Sequence, residues 1–229
     1  MRGLLITLVV LIGLAVVADR VGVGIADTRV ADQIQQQVHL GGAPTVDITG
    51  FPFLTQAIAG RYTDVRIGLS AADLGQPEGT TASVSLHGAR VPLSAVLSGS
   101  VRQIPVDRVD GTATLSYGLL SAKLGGDTTL RPEGSGLRIT RTVQVAGFTL
   151  PLTAAGTVTL EGDELVVDVQ RASGVGVQVP DFLVDQVSRL LDLRYPIPAL
   201  PFGLKLTAVS PGSDGIRIQL AATNTVLTG

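Results

Sequence analysis

Ala82-Ser83-Val84-Ser85-Leu86-His87-Gly88-Ala89-Arg90-Val91-Pro92-Leu93 is the stretch that decides the fold class. Up to His87 the chain alternates: Ala82, Val84 and Leu86 are apolar, and Ser83, Ser85 and His87 are polar. That is the period of a strand with one buried side. After His87-Gly88 the apolar set moves by one residue, to Ala89, Val91 and Leu93. A change of phase at a glycine is what a β-bulge produces, and bulges bend and twist long strands. A second change follows Ala146-Gly147, where the apolar set becomes Phe148, Leu150 and Leu152.

The same alternation recurs to either side. Val46 and Ile48 alternate with Asp47 and Thr49, and Val65, Ile67 and Leu69 with Asp64, Arg66 and Ser70. Val109, Ala113, Leu115 and Tyr117 alternate with Asp110, Thr112, Thr114 and Ser116. Leu137, Ile139, Val143 and Val145 alternate with Arg138, Thr140, Thr142 and Gln144. Two hairpins are readable, at Gly162-Asp163 and at Pro211-Gly212-Ser213-Asp214-Gly215. The expected fold class is α+β, mostly antiparallel β. The expected form is an elongated, strongly curved sheet or half-barrel with an N-terminal helix and short helices.

Four helices are expected. Residues 19–39 carry Val23, Ala26, Val30, Ile34 and Val38 on one face. Gly22 and Gly24 weaken the start, so this helix should be firm only from about Ile25. Gly41-Gly42 should end it. A compact helix runs from Phe51 to Gly60, with Pro52 in its first turn. Ser94–Ser98, ended by Gly99, makes about one turn. The longest of the later helices runs from Pro180 to about Leu193, before Tyr195-Pro196-Ile197-Pro198 stops it.

At the N-terminus, Met1-Arg2-Gly3 precedes fifteen uncharged residues, Leu4 to Ala18. As a helix this run spans roughly 22 Å at about 1.5 Å per residue. A bilayer core needs about 30 Å. A basic start, a short apolar run and Val16-Val17-Ala18 fit a cleaved signal peptide. An uncleaved anchor that continues as a helix past Asp19 and Arg20 fits as well. Either reading exports the remainder, to the periplasm or cell envelope. The expected organisation is residues 1–18 as leader or anchor and 19–229 as one domain, or one elongated domain of two halves.

Composition removes several function classes. A net charge of −2 without a Lys/Arg run argues against nucleic acid and against electrostatic docking on anionic lipid. Cysteine is absent, which excludes disulfides, thiolate metal sites and Cys nucleophiles. There is no Trp, and only eight residues are Phe or Tyr, so the core must be aliphatic. The histidines are His39 and His87, too few for a usual zinc site without carboxylates, and both read as structural or solvated. No nucleophile elbow or phosphate-cradling loop occurs. Glu161, Asp163 and Glu164 read as a solvated turn, with a weak calcium site as the alternative. No cofactor, metal or catalytic residue is expected, and the chain does not read as an enzyme.

Gly50-Phe51-Pro52-Phe53-Leu54-Thr55-Gln56-Ala57-Ile58-Ala59-Gly60-Arg61-Tyr62, followed by Asp64-Val65, resembles the hallmark of the actinobacterial LmeA-like envelope family. His87-Gly88-Ala89-Arg90-Val91-Pro92-Leu93, Val109-Asp110-Gly111-Thr112-Ala113 and Val179-Pro180 with Tyr195-Pro196-Ile197-Pro198 support the resemblance. It covers essentially the whole exported chain. It implies an elongated, curved fold related to the BPI-like tubular lipid-binding proteins, binding of phospholipids, phosphoinositides among them, and support of lipomannan and lipoarabinomannan assembly. The partners it implies are phospholipid and the cell-membrane surface.

On that footing the expected lipid contacts form an apolar cavity. One wall is Phe51, Phe53, Leu54 and Ile58; the other is Phe182, Leu183, Val187, Leu190 and Leu191. Acyl chains gain about 0.8 kcal/mol per buried CH2 in such a place. The rival reading of the same side chains is a filled core. A rival function is an interaction protein that stabilises a membrane glycosyltransferase, with any bound lipid only structural.

Overall fold

The computed structural model describes residues 2–98, 100–124, 128–134, 136–145, 148–162, 164–174, 193–196 and 203–228. The chain forms two compact units. The first comprises residues 1–74, 83–111 and 221–229; the second comprises 75–82 and 112–220. Among the described residues both sheets are built on antiparallel pairs, and neither closes into a barrel.

The first unit opens with α1 (Arg2–Val38), one continuous helix. Its described side chains up to Ala18 are all exposed. From Asp19 onward one stripe is buried or half-buried: Asp19, Gly22, Val23, Ala26, Asp27, Val30, Ala31, Ile34 and Gln35. The spacing of three and four is the expected one, and the stripe packs on strand β1 (Thr45–Thr49) and helix α2 (Phe53–Ala59). The helix does not weaken at Gly22 and Gly24. Two glycines cost about 1 kcal/mol each against alanine, less than breaking and renucleating a long helix. Gly22 also faces α2: a Cβ there would lie 3.5 Å from side-chain atoms of Phe53 and Leu54.

The end of α1 differs from expectation too. The left-handed residue is His39, at φ 56°, and Leu40 N–H donates to the Gln35 carbonyl at 3.2 Å. This is the Schellman arrangement, with histidine where glycine usually stands. Gly41 and Gly42 instead let the chain pass close to the short helix α3 (Ala71–Leu74), where Gly41 N–H donates to the Asp73 carbonyl at 2.8 Å.

Strand β1 pairs with β2 (Arg61–Leu69), Ile48 opposite Val65. The first unit then takes most of β3 (Thr81–Arg90), helix α4 (Leu93–Leu97), the first part of β4 (Gln103–Ser116) and the end of β11 (Gly215–Thr228). Strand order here is β1-β2-β3-β4-β11. Val46, Ile48, Phe53, Ala57, Tyr62, Val65, Leu86, Ala89, Val106 and Val109 are buried. The change of phase in β3 is present: burial passes from Leu86 to Ala89 across Gly88, whose φ is +67°. Asp64, expected on the solvent side of β2, is buried.

The second unit contains α5 (Tyr117–Leu124), β5 (Thr128–Glu133), β6 (Gly136–Val145), β7 (Phe148–Glu161), β8 (Glu164–Gly174), β9 (Leu193–Pro196) and β10 (Lys205–Pro211). Strands β5 to β9 form a sheet in chain order, and β10 lies against β6 and β7. Leu130, Leu137, Ile139, Ala154, Val158 and Ile216 make its aliphatic core, with Tyr117 and Leu120 packed against it.

Two strand expectations need correction. Val145 pairs with Phe148, so the chain reverses there, and the change of phase after Val145 is a hairpin rather than a bulge. A turn and a bulge leave the same one-residue slip in sequence. The register irregularity of this sheet falls instead between Ala155 and Gly156 of β7. Tyr117 begins α5 rather than ending β4, because Ser116 Oγ accepts the Leu119 N–H at 3.2 Å and caps the first turn. The expected helix from Pro180 to Leu193 lies outside the described residues, apart from Leu193, which begins β9. The hairpins at 162–163 and 211–215 are where they were expected.

Candidate lipid-contacting site

Helix α2 is held at both ends by residues the sequence supplies locally. Pro52 stands at its N-cap with an extended backbone, and Gly60 closes it in the left-handed region at φ +65°. Pro52 offers no side-chain acceptor, so the first-turn N–H groups need a partner from elsewhere. Asp19 of α1 provides it: its Oδ1 accepts the Leu54 N–H at 2.8 Å, and the carboxylate is only 2% exposed. A carboxylate at this position also suits the positive end of the helix.

The three sides of α2 differ in chemistry. Phe53 and Ala57 point inward, and the Phe53 ring meets Tyr62 at 6.4 Å between centroids. Burial pushes the Tyr62 phenol above its ordinary pKa. Leu54 and Ile58, one turn apart, point outward with Phe51 just before them. These three are exposed by 38%, 77% and 59% respectively. The Arg20 guanidinium lies over the Phe51 ring, 5.1 Å from its centroid.

The third side of α2 borders an open depression of about 550 Å³, lined by Thr55, Gln56, Ala59, Arg61, Thr63, Gly88 and Asp107. Its polar groups largely bond one another. Gln56 Oε1 accepts from Thr63 N–H at 2.9 Å, and Asp107 is bridged by Arg61 at 3.0 Å and by Arg90.

Of the side chains expected to contact lipid, Phe51, Leu54 and Ile58 are exposed, while Phe53 is buried in the core. Phe182, Leu183, Val187, Leu190 and Leu191 lie outside the described residues. Sequence reasoning missed Asp19 and Arg20 as parts of this site. The available signal was an acid–base pair directly after an uncharged run.

A polar rung crosses the sheet of the first unit. His87 bridges Asp64 through Nδ1 at 3.4 Å and Asp110 through Nε2 at 3.1 Å. Thr49 Oγ1 and Arg66 also hold Asp64, and Arg108 holds Asp110. Among the described residues no group of three or more His, Asp or Glu could hold a metal ion.

These features define an α+β chain with an apolar N-terminal helix and exposed apolar side chains on and just before α2. The chain belongs to the LmeA-like phospholipid-binding family, whose model matches residues 17–221, nearly its whole length. That is a lipid-binding family rather than an enzyme family. No curated protein and no solved structure gives a significant match.

Proposed function

We propose that this chain is an exported phospholipid-binding protein of the cell envelope, held at the membrane by residues 4–18. The observation that carries this reading is the family match across both units. Two structural features support it. Helix α1 has an apolar half that the protein leaves uncovered and that is apolar enough to serve as an anchor or a signal. The ridge of Phe51, Leu54 and Ile58 is a large apolar surface in a chain poor in aromatics.

In this proposal the acyl chain lies against α2, and Phe182, Leu183, Val187, Leu190 and Leu191 are further candidate lipid contacts. The fold is a curved one of BPI-like type, and the biological role is support of lipoglycan assembly. These finer points rest on the family resemblance. Native mass spectrometry of the purified full-length protein tests the reading. A co-purified phospholipid adduct supports it. A bare chain, even after incubation with phospholipid vesicles, favours the rival function of stabilising a membrane glycosyltransferase.

A further inference from the structure

We infer that Phe51, Leu54 and Ile58, flanked by Arg20, form a foot that inserts into the head-group layer of the bilayer from which α1 emerges. This rests on α1 being retained as an anchor, and it deepens the proposed function by placing the lipid-handling helix at the bilayer surface. Two independent observations converge on it.

The first is a shortfall in length. The uncharged run Leu4–Ala18 spans roughly 22 Å, and a bilayer core is about 30 Å thick. Roughly 8 Å of apolar thickness is left unmatched. The first charged residues, Asp19 and Arg20, are therefore drawn down to the edge of the hydrocarbon. A bare carboxylate there would be costly.

The second is how this pair is treated. Asp19 is sealed from solvent by α2, whose Leu54 N–H it accepts. Arg20 is exposed with its guanidinium over the Phe51 ring, and a long basic side chain beside apolar surface is suited to reach lipid phosphates. The bond from Asp19 to Leu54 fixes the height of α2 on α1 at the exit from the apolar run. Arg20 and Gly22 of α1 lie beside Phe51 and Leu54, and Phe51, Leu54 and Ile58 are all exposed. Large apolar side chains that would be a liability in water are matched to the head-group boundary.

The absence of Trp makes this directly readable. Four single-Trp variants of the full-length chain are reconstituted in phosphatidylcholine vesicles brominated on the upper acyl carbons. Val17→Trp marks the bilayer interior. Gln37→Trp, exposed and nineteen residues beyond Ala18 on the same helix, marks the aqueous side. Ile58→Trp and Phe51→Trp test the foot, and both positions are exposed enough to accept the ring. Blue-shifted emission at both, with bromine quenching comparable to that of Val17→Trp, is the expected result. Red-shifted, unquenched emission matching Gln37→Trp at both positions overturns the inference, as does an unquenched Val17→Trp. The outcome is independent of whether lipid co-purifies, so a quenched foot on a protein without bound lipid would sink the proposed function and leave the foot standing.

Discussion

Asp19 joins two helices through one carboxylate oxygen. Replacing it by Ala leaves the Leu54 N–H without an acceptor in a closed place, a loss of about 1–3 kcal/mol. Faster hydrogen exchange at the Leu54 amide in Asp19→Ala is the expected readout. Gly88 carries a different constraint. Its φ of +67° disfavours any side chain, and a Cβ would collide with the Asp107 carboxylate that Arg61 and Arg90 share. Gly88→Ala should cost about 1–2 kcal/mol from the backbone alone, seen as a lower midpoint in thermal unfolding. Asp73 gives a pH dependence. Hydrogen bonds from the Ser70 hydroxyl and N–H hold its pKa below the ordinary value. Its contribution to stability is therefore full above the ordinary carboxylate range and is lost as pH falls through the depressed value. In an NMR titration Ser70→Ala should move Asp73 back up. The Asp19 role was not legible in sequence, because Leu54 lies 35 residues away and is brought in by folding; Ser70 and Asp73 are a local pair, three residues apart.

At the scale of elements, legibility followed periodicity. The alternation of β1 and the phase change at Gly88 were visible because one face of each strand is buried. Helix α2 was visible because Pro52 and Gly60 bracket it. Helix α5 was hidden because Tyr117 continues the alternation of β4 for one residue past its end, and only the Ser116 hydroxyl cap marks the change. The two faces of α2 give a paired prediction. Phe53→Ala empties a site packed against Tyr62 and should cost about 3–5 kcal/mol. Ile58→Ala removes an exposed side chain and should change stability by no more than about 0.5 kcal/mol. Chemical denaturation in detergent compares the two, and equal losses would mean that α2 is seated the other way round.

For the whole molecule, the expected topology is that everything after Ala18 lies outside the cytoplasm. Alkaline phosphatase fused after Gly229 should be active, and a reporter active only in the cytoplasm would remove the localisation and with it the envelope role. The family was legible from the segment around Phe51 because that segment combines a bracketed helix with two of the chain's five phenylalanines. The arrangement of the candidate site residues was less so, since periodicity alone does not separate Leu54 and Ile58 outside from Phe53 and Ala57 inside. Helix α1 runs unbroken from Arg2 to Val38, with no loop between its uncovered half and the half packed on β1 and α2. A joint of that kind transmits torque. Under the proposed anchoring the first unit would spin about the helix axis and drift in the plane of the sheet of lipids, with no slack to swing away. A protein mounted in that way would work as a fixed station: lipid would have to come to it and leave from it, and any longer journey would need a relay of further stations.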